Sequence, residues 1–326
     1  MKKTAFVTGG SGFIGINLIE QLVADGWDVT ALHRPTSDLT YLKRFPIRLV
    51  EGTVTDRPSL EKAIPDGANA IFHVAGDTNY WKRNNDRQTR TNVEGTQQML
   101  DVAFQKQVRC FVHTSSISAW GYVPSLIDEE TPPRGQDSGA NYERSKLAGE
   151  QRVLQATGRG MKVVVLNPGA VVGPYDKTTW GKVFLLVKEG KLPPMTDGSI
   201  CFTHVREVVK AHITAVERGR DGEKYILGGV NDTYYEFARL ITERMGAKPP
   251  QKISGGLFRA LGTVFGWVAD LTGKEPLISY ELAEDMSRQN VRYSSEKAKR
   301  ELGFQDVPLE TCVRDCYDWM IAEKIL

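Results

Sequence analysis

The sequence predicts an α/β protein: a doubly wound parallel sheet, followed toward the C-terminus by a smaller, mostly helical domain. Short apolar, β-rich runs alternate with helical patterns over the first two thirds of the 326 residues. Strands that are apolar throughout, separated by helices of about 10–15 residues, indicate βαβ units whose sheet is covered on both faces. After Leu166 the alternation ends, and from Thr233 onward the sequence is mainly helical.

The expected elements follow this alternation. Strands are predicted at Thr4–Val7, Asp28–Leu32, Ile47–Val50, Ala70–Val74, Arg109–Thr114, Lys162–Leu166 and Lys224–Leu227. Helices are predicted at Gly15–Ala24, Arg57–Ile64, Val93–Gln105 and Tyr142–Thr157. A final helix should begin at Ser294 or Ser295 and stop at Gly303, because serine favours N-caps and glycine favours helix ends. We therefore place the first domain at residues 1–170, with a return at about 201–229, and the second at 171–200 and 230–326.

Composition and charge exclude several classes of partner. The chain has 42 basic and 40 acidic residues, a balance that does not favour a nucleic-acid partner. No apolar window is long enough for a membrane span, and no targeting segment is apparent. The four cysteines form no CxxC pair, which favours reduced thiols, a cytoplasmic location and no metal site.

The stretch TGGSGFIG, from Thr8 to Gly15, follows the first strand and opens the first helix. It can be read as G-x-G-x-x-G through Gly10, or as G-x-x-G-x-x-G through Gly9. Either spacing lets the backbone approach a pyrophosphate at a helix N-terminus, so we expect a bound dinucleotide.

The end of the second strand bears on which dinucleotide binds. The strand runs into His33 and Arg34, and no carboxylate appears until Asp38. A guanidinium can grip a 2′-phosphate, which a carboxylate would repel. We therefore expect NADP(H), with NAD(H) as the alternative if Arg34 is only a solvated loop residue.

A second group of residues has the chemistry of proton transfer. Tyr142 and Lys146 lie one turn apart on a predicted helix, where the ammonium would lower the pKa of the phenol. The fifth strand runs directly into Thr114-Ser115-Ser116, so a hydroxyl is expected at the ligand-binding edge of the sheet. Such a set can move a proton to or from a carbonyl oxygen while a hydride moves at carbon.

The segments TGGSGFIG, HTSSISAWG and YERSK resemble the extended short-chain dehydrogenase/reductase superfamily. Within it the chain is similar to the dihydroflavonol-4-reductase-like and 3β-hydroxysteroid-dehydrogenase-like branch, which includes related NAD-dependent epimerases. Further matches occur in order: FHVAG (Phe72–Gly76), TNVEGT (Thr91–Thr96), LNPGAVVGP (Leu166–Pro174), FTHVREVVKAH (Phe202–His212) and YSSEKAKRELGF (Tyr293–Phe304). The resemblance implies a Rossmann domain and an NAD(P)-dependent oxidoreductase acting on CH–OH or C=O groups.

The resemblance also implies individual roles. Ser116 would polarise the substrate oxygen, Tyr142 would be the general acid/base, and Lys146 would support Tyr142 and bind the nicotinamide ribose. It favours Gly9, rather than Gly10, as the first glycine of the working set. The implied cofactor-binding residues are Gly9, Gly12, Phe13, Ile14, Gly15, His33, Arg34, Thr53, Val54, Ala75, Gly76, Asn92, Thr114, Tyr142, Lys146, Asn167, Pro168, Val171 and Val172. One departure is that Gly52 is followed by Thr53 and Val54, where family members commonly carry an acid.

Several functions remain open at this point. The first is NADP(H)-dependent reduction of a ketone or aldehyde, or oxidation of the matching alcohol. An NDP-sugar epimerase or dehydratase with tightly bound NAD would need cations in the second domain, for which Lys182, Lys188, Lys191 and Arg206 are available. A 3β-hydroxysteroid or lipid alcohol dehydrogenase is a further alternative. A non-catalytic redox sensor is disfavoured because it needs no proton donor.

Two further sets of residues have more than one interpretation. Tyr80, Trp81, Tyr175 and Trp180, together with Ser116, would line the substrate pocket, or the aromatics would only close the domain interface. The apolar stretch 257–271 is interpreted as a helix covering the core or pocket, with peripheral membrane contact or a dimer contact as alternatives. We expect a monomer or homodimer. His73 and His113, inside predicted strands, are interpreted as core residues.

Overall fold

A seven-stranded parallel sheet is the centre of the fold in the computed structural model, which describes residues 2–326. The strands of the described chain are β1 (Thr4–Thr8), β2 (Asp28–His33), β3 (Arg48–Glu51), β4 (Ala70–His73), β5 (Cys110–Thr114), β6 (Leu126–Ile127), β7 (Lys162–Pro168), β8 (Ala170–Val172), β9 (Ser199–His204), β10 (Glu223–Leu227), β11 (Val230–Thr233) and β12 (Arg292–Tyr293). The main sheet has the order β10-β7-β5-β4-β1-β2-β3. The order reverses between β1 and β4, which is where a doubly wound sheet opens a crevice for a ligand.

Helices cover both faces of this sheet. They are α1 (Phe13–Ala24), α2 (Arg57–Ala63), α3 (Asn85–Thr89), α4 (Gly95–Gln105), α5 (Asn141–Leu154), α6 (Lys182–Lys188), α7 (Val205–Arg218), α8 (Tyr234–Arg244), α9 (Gly255–Thr272), α10 (Tyr280–Asp285), α11 (Glu296–Leu302) and α12 (Leu309–Ala322). The neighbours Phe6 and Val7 on β1 are both fully buried but belong to different apolar clusters, one on each face. This is the period-two alternation of a strand covered on both sides.

A separate apolar cluster lies in the C-terminal part of the molecule. It draws on residues from 170–202 and from 234–320, including Phe202 and Phe237, whose rings stack 4.8 Å apart. A three-stranded sheet, β11-β9-β8, contributes to it together with α8 and α12. The domain division predicted above remains an interpretation: this cluster draws on both stretches assigned to the second domain, but also on Ala170 and Phe202, which were assigned to the first.

The expected strands of the main sheet are confirmed, and most boundaries agree within two residues. The helix expected at Val93–Gln105 is continued backward by a π-helical segment, Arg90–Glu94, and by α3. The helix ending at Gly303 is also confirmed, with Gly303 in the left-handed region at φ 70°. Ser295 is the N-cap residue of α11, as predicted, but its hydroxyl accepts a hydrogen bond from Gly228 N and makes no cap bond to the helix. The expectation that this is the final helix is wrong, because α12 follows.

The apolar stretch 257–271 forms most of α9. Only Phe258, Gly262 and Ala269 of this helix are buried, and most of its large apolar side chains are exposed. The interpretation of this stretch as a cover for the core is therefore wrong for most of its residues, because the apolar repeat faces outward. No helix in the described chain is long and apolar enough to cross a membrane.

The turn from β1 into α1 depends on close backbone contact. Gly9 has φ 70°, and a Cβ there would lie 2.7 Å from the Ala75 nitrogen. A Cβ at Gly15 would lie 2.1 Å from the Gly9 carbonyl oxygen and 2.8 Å from the Gly10 Cα. The helix therefore touches the turn backbone directly, which only glycine at position 15 permits.

This contact leads to a stability prediction. Gly15→Ala should lower the free energy of unfolding by about 1–3 kcal/mol, because the added methyl group must push α1 away from the turn. Urea unfolding followed by circular dichroism measures the loss. The control is Gly256→Ala at the exposed start of α9, where the added methyl group has space and unfolding should be unchanged or slightly harder. Equal stability of the two variants would contradict the packing described here.

Candidate active site

The N-terminus of α1 faces the crevice at the sheet reversal. Gly12 is the N-cap of this helix, is exposed, and supplies no side-chain cap. A Cβ at Gly12 would contact only the Gly9 oxygen, at 3.2 Å, so the space above the turn is open. The first-turn amides, including those of Phe13 and Ile14, can therefore reach an anion, and this cradle fits a dinucleotide pyrophosphate.

The adenosine side of the crevice is formed by the ends of β2 and β3. Arg34 is exposed, and its guanidinium makes no hydrogen bond or ion pair with the residues that the structure describes. The carboxylate of Asp38 accepts two hydrogen bonds from Thr40, which lower its pKa. His33 bonds through Nδ1 with the Arg34 carbonyl, at 3.1 Å. Arg34 is thus the free cation at the tip of β2, as the NADP(H) hypothesis requires.

Thr53 and Val54 lie after β3. The Thr53 amide donates to the Ser59 hydroxyl at 3.2 Å, and the Thr53 hydroxyl lies 3.2 Å from that of Thr55. Val54 is buried against Gly95 at the start of α4. A hydroxyl, rather than a carboxylate, is therefore the polar group at this point.

The loop after β4 is fixed by Asn92 in the π-helical segment. Its side-chain oxygen accepts from Asp77 N at 2.8 Å, and its side-chain nitrogen donates to Asp77 O and to the Ser145 hydroxyl. A Cβ at Gly76 would lie 3.5 Å from the Asn92 oxygen and 3.7 Å from Lys146 Nζ. The backbone at Gly76, next to Ala75, therefore lies between the two predicted cofactor ligands Asn92 and Lys146. π-helical turns of this kind are frequent at functional sites.

Ser116, Tyr142 and Lys146 come together at the carboxyl end of β5. Lys146 is buried on α5, and its ammonium donates to the carbonyl oxygen of Thr114 at 2.8 Å. Ser116 begins the short helical turn 117–120, and its hydroxyl accepts from Ser118 N at 3.1 Å. The Ser116 hydroxyl lowers the pKa of Tyr142 by favouring the phenolate.

Burial sets the protonation of this group. It raises the pKa of Tyr142 to about 12, more than the Ser116 hydrogen bond lowers it. Burial also lowers the pKa of Lys146 to about 8. The expectation that Lys146 would lower the pKa of Tyr142 is wrong for this structure, because desolvation of the phenol is the larger effect.

The end of β7 closes the site from the other side. The side-chain nitrogen of Asn167 donates to Ser116 O at 3.1 Å and to Glu150 at 2.7 Å, while its oxygen is buried without a partner among the described residues. Glu150 also accepts from the Ser115 hydroxyl at 2.7 Å. Pro168 ends β7, and Val171 and Val172 are buried in β8, the next strand. Asn17 on α1 ties this segment to the cradle by donating to Pro174 O at 2.9 Å.

A cluster that the sequence analysis missed lies beside Tyr142. Arg288 pairs with Glu143, the residue after Tyr142, and with Asp285 at 2.9 Å. The hydroxyls of Tyr80 and Tyr234 each donate to Asp285 at 3.4 Å. Glu143 belongs to the YERSK segment, but its partner Arg288 is 145 residues away in the sequence. No local spacing of residues could therefore reveal the pair.

The four aromatic residues proposed for the pocket separate into two groups. The ring of Tyr80 lies 5.2 Å from the ring of Tyr142. The ring of the next residue, Trp81, lies 5.3 Å from the Arg83 guanidinium. Tyr175 packs 5.3 Å from Trp319 of α12, whereas Trp180 packs on aromatic rings of the C-terminal cluster. These positions favour a pocket role for Tyr80 and an interface role for Tyr175 and Trp180.

Several other predicted groups lie in the core or at the surface. His73 lies between the Thr8 and Thr96 hydroxyls at 2.8 and 3.0 Å, and burial lowers its pKa to about 3. It stacks on His113, whose pKa burial also lowers. This environment favours the core interpretation of both. Of the four cations considered for a diphosphate, three are engaged at the surface: Lys191 with Glu189, Arg206 with Asp315, and Lys188 with Ile325 O.

The chain is similar to known proteins over nearly its whole length. The model of the NAD-dependent epimerase/dehydratase family matches residues 5–228. A putative dihydroflavonol 4-reductase of Synechocystis is 29% identical over 96% of this chain and 93% of its own length. A 3-beta-hydroxysteroid dehydrogenase of Mycolicibacterium neoaurum is 28% identical over 97% of this chain and 93% of its own length. The crystal structure of gox2253 superimposes with a TM-score of 0.84 at 31% identity and covers 99% of both chains.

The Arg288 cluster leads to a prediction about stability. Arg288→Met should lower the free energy of unfolding by about 3–5 kcal/mol, because it leaves the buried carboxylate of Glu143 without a countercharge. Adding Glu143→Gln should restore part of the loss by removing that charge. Urea unfolding of the two variants tests the pair. A loss below about 1 kcal/mol for Arg288→Met would show that the pair does not hold the two parts of the chain together.

Proposed function

Because the chain belongs to the NAD-dependent epimerase/dehydratase family, we propose that it is an NADP(H)-dependent reductase of a ketone or aldehyde. Its relatives are NAD(P)-dependent enzymes that act on CH–OH and C=O groups, and so is this protein. The finer assignment rests on one observation above all: a half-buried Tyr142 whose pKa is raised to about 12, on the helix that Lys146 ties to the strand leading into Ser116.

Each residue has a chemical task in this proposal. The bound nicotinamide supplies the hydride. Tyr142 donates its proton to the carbonyl oxygen, and a phenol whose pKa is about 12 holds that proton at neutral pH. Ser116 donates a hydrogen bond to the same oxygen, and the Lys146 ammonium stabilises the phenolate left behind. A resting phenol is suited to carbonyl reduction, whereas alcohol oxidation must begin from the phenolate.

The alternatives receive less support. An NDP-sugar epimerase or dehydratase needs free cations for a diphosphate, and three of the four considered are engaged by neighbouring groups. The hydroxysteroid dehydrogenase relative favours a substrate of low polarity, and the ring of Tyr80 against Tyr142 suits a flat or cyclic one. We assign substrate binding to the C-terminal residues that surround Asp285 and Arg288.

The proposal is tested first at the proton donor. Tyr142→Phe should lower kcat for NADPH-dependent reduction about 100-fold or more, because no other group is placed to protonate the oxygen. Initial rates are measured with a panel of aromatic ketones, aliphatic aldehydes, ketosteroids and nucleotide sugars. Tyr317→Phe, which removes a hydroxyl from the same residue type on α12, where the ring packs on Phe184, is the matched control and should be fully active. Undiminished activity of Tyr142→Phe would overturn the mechanism.

Cofactor preference is tested at Arg34. Arg34→Ala should raise KM for NADPH about tenfold or more and leave KM for NADH nearly unchanged, because only the 2′-phosphate uses the guanidinium. The control is Arg48→Ala, which removes an exposed cation from the opposite, amino end of the neighbouring strand. If the wild-type enzyme already prefers NADH, the NADP(H) assignment is wrong.

A further inference from the structure

Helix α9 presents a wide apolar surface to the outside. It has 18 residues and so extends about 27 Å. Successive residues of an α-helix are rotated by about 100° around the helix axis. On α9 this rotation places the buried residues on one side, a narrow polar strip of Arg259, Thr263 and Asp270 next to them, and an apolar sector of about 160° beyond that strip. This sector, the apolar arc, consists of Leu257, Leu261, Val264, Phe265, Trp267, Val268 and Leu271.

The exposure of the apolar arc is unusually high. Leu271 is 88% exposed and Trp267 67%, and Leu257, Val264 and Val268 are each at least half exposed. Single exposed apolar residues are ordinary on protein surfaces. Within the arc, the one polar side chain is Thr272 at the last position of the helix, where its hydroxyl bonds back to the Val268 carbonyl oxygen. So large an apolar arc is not ordinary, and it marks a contact with another apolar phase.

The arc lies next to the loop that carries Tyr80. Asp270 of α9 pairs with Lys82 at 2.9 Å and accepts Arg83 on its carbonyl oxygen at 3.0 Å. Just past the helix, Ser279 donates to the carbonyl oxygen of Tyr80 at 3.1 Å. The loop that places Tyr80 against Tyr142 is therefore fastened to α9 and to the start of α10.

Charges border the arc on one side. Lys82, Arg83 and Arg259 are each about half exposed, and they outnumber the two carboxylates they pair with, Asp270 and Glu284. Trp267 lies at the edge of the arc nearest the polar strip. An apolar face, a tryptophan at its edge and cations beside it match, in order, the acyl, interfacial and phosphate levels of a bilayer surface.

We propose that the apolar arc of α9 docks this protein on a lipid bilayer surface, with the Tyr80 loop beside the membrane. This docking does not depend on the reaction proposed above. The positive charges that border the arc favour a layer of lipid headgroups over a second copy of the chain, and the test below separates the two occupants. A lipid-dissolved ketone would then enter the pocket directly from the bilayer.

Vesicle flotation tests the proposal with the full chain. The wild-type protein should float with vesicles of phosphatidylcholine and phosphatidylglycerol. In a variant that combines Val264→Ser, Trp267→Ser and Leu271→Ser, the affinity for the vesicles should fall about tenfold or more, because three apolar side chains of the arc are lost. The core should stay intact, because all three side chains are exposed. The matched control combines Leu126→Ser with Ile321→Ser, which removes exposed apolar side chains elsewhere and should float like the wild type.

The failing outcomes are equally definite. Absence of wild-type flotation overturns the proposal, and so does equal loss in the control variant. Size-exclusion chromatography without lipid is run in parallel on all three proteins. A wild-type dimer that the triple variant converts to a monomer would assign the arc to a second copy of the chain and would also overturn the proposal. Because flotation needs neither cofactor nor turnover, its result is separate from the test of Tyr142.

Discussion

The hydrogen bond from the Lys146 ammonium to the Thr114 carbonyl oxygen, 2.8 Å long, is the contact on which the site depends. It joins α5 to the carboxyl end of β5, so the helix that carries Tyr142 is held against the strand that leads into Ser116. A buried ammonium is costly unless it is well paired, and Glu150, the acid that favours its charge, is already bonded to Ser115 and Asn167. A charge kept at such cost is typical of functional sites.

The parallel sheet extends this contact to the rest of the crevice. The carboxyl ends of β1, β4, β5 and β7 lie side by side, so the glycine turn, Gly76, Ser116 and Asn167 meet at one edge. Asn92 then links the loop after β4 to Ser145 on α5, one residue before Lys146. A shift of α5 would therefore move the loop after β4, Tyr142 and Lys146 together.

The sequence predicted those features that local patterns encode. Apolar runs locate the strands, glycine spacing locates the β1–α1 turn, and the four-residue separation of Tyr142 and Lys146 places them on one helix face. Contacts between distant residues leave no such pattern, which is why the Arg288 pairing with Glu143 was missed. The pKa of Tyr142 was misjudged for a related reason, because burial depends on every element packed around the phenol. The outward face of α9 was misread because an apolar repeat predicts contact with apolar surroundings, but it does not tell whether these are the protein core, a membrane or a second chain.

The charges around Tyr142 also restrict what can approach it. Glu143 and Asp285 share the single guanidinium of Arg288, and burial raises the pKa of both carboxyl groups. Both acids also raise the pKa of Tyr142 and so keep it protonated. A substrate that brings a carboxylate or diphosphate next to this pair meets repulsion in a poorly screened region, whereas a neutral carbonyl compound does not. On the function proposed above, the same two acids keep Tyr142 protonated and disfavour anionic substrates, in keeping with a neutral ketone rather than a nucleotide sugar.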